Sequence, residues 1–246
     1  MSQLYNTMMS HRSIRKYSSK EVSQNLIDKI LNAAIRASSS GNMQAYSIIV
    51  TRDPQIKKQL YEPHFNQEMV LEAPVLLTFC ADFNRMRKWL KISDAPDNFD
   101  NFMSFMIAAI DAILVSQNAA LAAEAEGLGI CFMGTTLASC EQIGRILNCP
   151  QNVIPVVGFS LGYPAEAPLE RDRLSLGAVV HSEIYQDYST EALREIYREK
   201  ELRGMRRYLE IPELRALIEN KNINNLRKCI RAPNTPKSPI LNILKV

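Results

Sequence analysis

Between Met103 and Glu126 the chain runs for 24 residues with Ile107, Ala108, Ile110, Ile113, Leu114, Ala119, Ala120 and Leu121 spread around a helical circumference. A helix that is apolar on most sides has to be enclosed, by its own fold, by a second copy or by a bilayer. Asp111, Ser116, Gln117 and Asn118 interrupt the run too early for a hydrocarbon span, which takes about 20 predominantly apolar residues. The segment therefore reads as a helix buried in a core or at a subunit contact, with no membrane partner. Its apolar surface exceeds what one face of a domain covers, so a homodimer is expected.

The remaining elements interleave without a strict strand–helix–strand rhythm. Helices are predicted at Gln3–Met9, from a serine cap at Ser19 or Ser23 to about Ala37, at Pro54–Tyr61, near Cys140–Leu147 and at Thr190–Leu209. In the second of these Ile27, Ile30, Leu31, Ala34 and Ile35 recur at three and four, which makes one buried stripe. Strands are predicted at Tyr46–Val50, Pro74–Ala81, within Gly127–Gly134, and at Val153–Leu161; the run from Pro74 is apolar almost throughout, as in a strand covered on both faces. Residues 86–102 read as a charged excursion, Pro212–Glu219 as a short helix, and the tail from Asn222 as irregular. The fold class is α+β, or a three-layer α/β/α arrangement.

The composition, 46% hydrophobic and 22% charged over 246 residues, is that of an ordinary globular protein. A net charge of +3 is too small to argue for a nucleic-acid partner. Five scattered cysteines without a CxxC pair read as reduced thiols of a cytoplasmic protein. The spacing of His11, His64 and His181 offers no metal site.

Three segments share one chemical character. His11-Arg12-Ser13-Ile14-Arg15 gathers guanidiniums, an imidazole and a hydroxyl ahead of a helix; Ser38-Ser39-Ser40-Gly41-Asn42 supplies hydroxyls and exposed amides; Arg171-Asp172-Arg173 places two guanidiniums two residues apart. Arginine forks and short hydroxyl donors suit phosphate oxygens. There is no GxGxxG and no GxxxxGK[ST], so Rossmann and P-loop readings have no support. Glu124 and Glu126, at a helix end, read as solvated. Many binding groups with few proton-transfer groups suit a cofactor that does the chemistry itself.

In these segments, together with Gln67, Phe79-Cys80-Ala81-Asp82-Phe83-Asn84-Arg85, Gly127-Leu128-Gly129 and Gly158 to Pro164, the chain resembles the nitroreductase family of flavin-dependent oxidoreductases. It looks most like the branch of oxygen-insensitive NADPH nitroreductases and NAD(P)H–flavin reductases. The resemblance implies a mostly antiparallel sheet flanked by helices and an intertwined homodimer. Residues 1–185 would form an FMN-binding core, and 186–246 a helical extension with an irregular tail. It implies that Arg12, Ser13, Arg171 and Arg173 hold the FMN phosphate, with His11 lining the same pocket. Arg15 would lie near the N1/O2 edge, where its charge stabilises the reduced ring, and Gln67 at the N3/O4 edge. Ser39, Ser40 and Gly41 would line the other side. Phe132, Met133, Gly134 and Thr135 would pack on the flavin from the partner chain or the back of the pocket.

The reaction implied is ping-pong. Hydride passes from NADPH or NADH to flavin N5, then electrons go to a nitroaromatic, a quinone or free flavin; no side chain is assigned as the catalytic acid or base. Arg203, Arg206 and Arg207 resemble the basic stretch that recognises the NADPH 2′-phosphate. Thr135 stands where relatives often have a second glycine, and Gly41 and Asn42 also depart from the pattern, on the side where substrate enters. The alternatives are a flavin-storing or flavin-sensing protein without turnover, or another superfamily reaction such as reductive dehalogenation.

Overall fold

The structure is a computed structural model that describes residues 2–210 and 215. Of the helix expected at 212–219 only residue 215 is described, and the tail from 222 lies outside the described residues. By packing, the chain divides into two units, 1–170 and 171–246, and each is taken by itself.

The first unit is built on a four-stranded sheet of β1 (Tyr46–Thr51), β2 (Val75–Asp82), β3 (Gly129–Phe132) and β4 (Val153–Gly162). The strands lie in the order β1-β2-β4-β3, and every pair is antiparallel. Around it are α1 (Gln3–Met9), α2 (Gln24–Ala34), α3 (Pro54–Tyr61), α4 (Met69–Glu72), α5 (Asn84–Ile92), α6 (Phe102–Ala125), α7 (Thr135–Ala138) and α8 (Cys140–Ile146). All of β2 is buried. Alternation of side chains along a strand explains why. Val75, Leu77, Phe79 and Ala81 join Ile27, Ile30 and Ala34 of α2 and Ala108, Ala112 and Val115 of α6 in one core. On the opposite face Leu76 packs with Leu60, Val70 and Ile143 of α3, α4 and α8. Helices thus cover both faces, the three-layer α+β architecture that the pattern of elements implied.

Local chemistry sets the helix ends. Ser23 Oγ accepts the Leu26 amide at 3.3 Å and starts α2. Asp53 caps α3 with Pro54 at its first position. Helix α2 ends at Ala34, earlier than expected, so Ile35 is exposed. The charged stretch after β2 folds into α5, which sequence reading left irregular; Arg87 there pairs with Asp97 at 2.6 Å.

Helix α6 packs on the sheet. It is the one helix among the described residues long and apolar enough to cross a bilayer by length and composition. Its inward face is small or polar: Ala108, Asp111, Ala112, Ser116, Ala119 and Ala123 are buried. Its large side chains turn outward, with Ile110 47%, Ile113 50% and Leu114 42% exposed. Alanines allow a close approach to the sheet, and the bulky residues are left for something else to cover. Leu4, Tyr5 and Met8 of α1, which packs on α6, are exposed as well.

In the second unit α9 (Thr190–Leu209) follows a loop that begins at Arg171.

Candidate functional site

The basic segment is laid against the edge of the sheet. Ser13 forms an isolated parallel bridge with Ile130, and the Ile14 amide donates to the Ile130 carbonyl at 2.9 Å. This approach needs Gly129: a Cβ there would sit 2.6 Å from the Ile14 side chain. Gly162 meets the same requirement further on, where a Cβ would come within 2.6 Å of Pro74 and 2.8 Å of Tyr17. The Tyr17 hydroxyl donates to the Ile14 carbonyl at 2.7 Å and shares a second hydrogen bond with Ser160. Burial holds its pKa well above the usual phenol value, so it stays a neutral clamp.

Carboxylates organise the segment's polar groups. His11 Nδ1 lies 2.6 Å from Glu124 Oε1 on α6. Burial lifts the Glu124 pKa, and the hydrogen bond from His11 pulls it back. Glu124 is thus not the solvated residue its helix-end position suggested, whereas Glu126 pairs with Lys29 at the surface. Arg12 donates to Glu170 at 2.9 Å and to the Pro168 carbonyl at 3.3 Å. Glu166 accepts the backbone amides of Arg15 and Lys16 at 2.6 and 3.1 Å, which leaves the Arg15 guanidinium exposed. Ser13 hydrogen-bonds Cys131, whose thiol pKa is raised by burial.

Strand β3 leads from Ile130 directly to Phe132, Met133, Gly134 and Thr135. Gln67 meets this stretch from the α3–α4 turn: its Nε2 donates to the His64 carbonyl at 2.8 Å and to Thr135 Oγ1 at 3.3 Å. His64 is 1% exposed, with Nδ1 2.8 Å from the same hydroxyl. Burial pushes its pKa down to about 4, so the ring is neutral at pH 7. Ser13 bridges a residue only five positions before Thr135, at most about 17 Å of extended chain. One chain therefore gathers Arg12, Ser13, Arg15, Gln67 and Phe132–Thr135 along one edge of the sheet.

The serine turn sits at the opposite corner. It precedes Tyr46, which pairs with Ala81, whereas Ile130 pairs with Leu161 and Leu161 with Val75. Six residues of β2 separate the two levels, roughly 20 Å, and β1 and β3 are opposite edges of the sheet. Within one chain, Ser39 and Ser40 do not join Ser13. The turn hangs on Asp111, which is fully buried. Ser39 Oγ, the Ser40 amide and the Ala45 amide donate to its carboxylate at 2.7, 2.9 and 3.3 Å. Gly41, Asn42 and Gln44 have φ of +57°, +54° and +51°, left-handed values that only Gly41 adopts without strain.

In the second unit Arg171 and Arg173 are exposed, and Arg173 donates to the Arg171 and Asp172 carbonyls. Arg203 and Arg206 lie exposed on α9, with Arg203 3.9 Å from Asp172. The Arg207 side chain lies outside the described residues.

Sequence reasoning passed over Asp111, His64 and Glu166 as working residues. For Asp111 the signal was present: a carboxylate in the middle of an alanine-rich buried helix must have donors aimed at it.

Comparison with known proteins identifies the family. Residues 8–163 match the model of the nitroreductase family. The chain is 34% identical over 187 residues to the FMN reductase (NADPH) of Bacillus subtilis strain 168, covering 75% of each. A crystal structure of an oxidoreductase from Bacteroides fragilis NCTC 9343 superposes with a TM-score of 0.84 at 38% identity, over 97% of this chain and 93% of that one. The NADPH:FMN oxidoreductase of Vibrio harveyi, solved with NAD+, gives 0.74 at 28% identity, over 89% and 92%. With its sheet, the segment pinned along β3 and the Gln67 turn all falling within the matched region, the chain belongs to the nitroreductase family.

Proposed function

We propose that this protein is an FMN-dependent NAD(P)H oxidoreductase that works as a homodimer in the cytoplasm. The observation that carries the reading is the run of groups along β3, phosphate-type donors at Arg12 and Ser13 and an amide at Gln67, whose chemistry suits a ligand with an anion at one end and a polar ring at the other. The donor set fits FMN. Arg12 is held by an exposed pair with Glu170, a contact worth about 0–1 kcal/mol, which a phosphate dianion can displace. The exposed Arg15 guanidinium supplies positive charge for the N1/O2 edge. Arg171 and Arg173 keep the phosphate-holding role that the resemblance gives them.

Held by Arg12, Ser13 and Gln67, FMN would supply the redox chemistry, hydride from NADPH or NADH in and electrons out to a small acceptor such as a nitroaromatic, a quinone or free flavin, in ping-pong order. The residues bind, orient and exclude water; none has to act as acid or base. Two features support a shared site. The serine turn lies a sheet diagonal away from Ser13, farther than one flavin spans, and the outward face of α6 is uncovered. A second copy packed on α6 answers both, with Ser39, Ser40 and Gly41 of one chain completing the pocket of the other.

The test is direct. Purified protein is expected to be yellow, to release FMN on denaturation, and to oxidise NADPH when a quinone or nitroaromatic is added. FAD, or no flavin after reconstitution, would remove the reading. Bound FMN without NADPH or NADH oxidation would favour a storage or sensing role.

A further inference from the structure

Gln67 is delivered by a turn whose conformation only outside support maintains. Phe65 and Asn66 both have left-handed backbone, at φ +57° and +54°, which non-glycine residues seldom adopt. The Asn66 amide donates to the Tyr61 carbonyl at 2.9 Å, the Tyr61 hydroxyl to the Glu68 carboxylate, and Ser139 Oγ to the Pro63 carbonyl at 2.9 Å. The turn is thus fastened across its own base and onto the α7–α8 junction. Its innermost fastening is the contact of His64 with Thr135.

The hydrogens in this cluster can be assigned one by one. The His64 carbonyl can only accept, so the Gln67 group facing it at 2.8 Å is the NH2 and not the oxygen. The second amide hydrogen points at Thr135 Oγ1, 3.3 Å away. With the neutral imidazole protonated on Nε2, that hydroxyl accepts from Gln67 and donates to Nδ1, 2.8 Å away. The chain of donors runs Gln67 to Thr135 to His64, and both amide hydrogens are committed. The polar valence left on Gln67 is its carbonyl oxygen, an acceptor. A flipped amide would set oxygen against the His64 carbonyl and strand a buried acceptor.

Resting on the flavin reading above, we propose that Thr135 is a positioning residue, locking the Gln67 amide so that its carbonyl oxygen accepts the flavin N3–H. The ring's N3/O4 edge carries one donor and one acceptor, and this network chooses the donor. A glycine at position 135 has no hydroxyl and cannot make the choice.

The experiment compares Thr135→Val, which keeps the shape and loses the hydroxyl, with Thr135→Ser, which keeps the hydroxyl; Thr135→Ala gives the same reading where Val unsettles the fold. Nitrogen NMR of the flavin-free protein should show His64 Nδ1 as a hydrogen-bonded acceptor in wild type and Ser, and without that bond in Val. Titration with FMN, followed by flavin fluorescence, should show Kd raised about five- to tenfold in Val and restored in Ser, the size of one neutral hydrogen bond. FMN methylated at N3 should bind wild type at least tenfold more weakly than FMN, with less discrimination in Val. An unchanged Kd in Val, an unchanged His64 signal, or equal binding of the two flavins by wild type overturns the lock while the flavin site stands. No FMN binding by wild type overturns both.

Discussion

The Asp111 carboxylate on α6 accepts the Ser39 hydroxyl at 2.7 Å, so the helix with the uncovered apolar face also holds the serine turn in shape. Any force on α6 is felt at the turn. The uncovered face and the turn are mechanically linked through Asp111, which shapes the first two predictions.

Asp111→Ala strands the Ser39, Ser40 and Ala45 donors in a buried place, and should cost at least about 2 kcal/mol of stability. Asp111→Asn keeps one acceptor and should cost less. Urea unfolding measures both. Equal stability of Ala and wild type would mean that the turn holds itself.

Replacing Ile110 and Ile113 with glutamate puts charge on the outward face of α6, now 47% and 50% exposed in a single chain. Two isoleucines lost from an interface, at about 1.5–3 kcal/mol each, should weaken dimerisation by roughly two orders of magnitude or more. Sedimentation should show monomers, and the flavin should be lost with the partner. A stable dimer of the double variant would place the contact elsewhere.

His64 gives the protein a pH dependence of defined sign. Its folded pKa of about 4 lies below the usual 6.5 because burial disfavours the cation. Between those values the unfolded chain binds a proton that the folded one refuses, so stability falls as pH drops from 6.5 towards 4, by up to about 3 kcal/mol. Above 6.5 the contribution is constant. Urea midpoints across this range should slope in wild type and lose that part of the slope in His64→Gln.

Replacing Arg203 and Arg206 with alanine should raise the KM for NADPH about tenfold or more, with little change in kcat or in the KM for NADH. A charge-assisted hydrogen bond to a 2′-phosphate is worth roughly 1.5–3 kcal/mol in ground and transition states alike. Equal small losses with both coenzymes would assign these residues to the surface.

Cys149 accepts a hydrogen bond from the buried Cys80 thiol, which lowers its pKa. It should be alkylated by iodoacetamide at pH 7 several-fold faster than in a Cys80→Ala variant, measured by peptide mass spectrometry. An unchanged rate would mean that the thiol pair does not activate it.

Much of this protein was determined locally. Serine and aspartate caps, the three-and-four spacing of Ile27 and Ile30, and the unbroken apolar run of β2 are written in neighbouring residues, because hydrogen bonding at helix ends and side-chain alternation act over a few positions. The chemistry of the basic segment was legible for the same reason, being carried by residue type, whereas Gln67 was picked out by the family resemblance alone. Only the tertiary structure decided that Glu124 takes His11, that the alanines of α6 face inward while its isoleucines face out, and that Asp111 holds a turn 71 residues away from it at Ser40. Those outcomes depend on which surfaces meet after the chain closes. A buried carboxylate or imidazole shows its need for partners in the sequence, but the identity of the partner belongs to the fold.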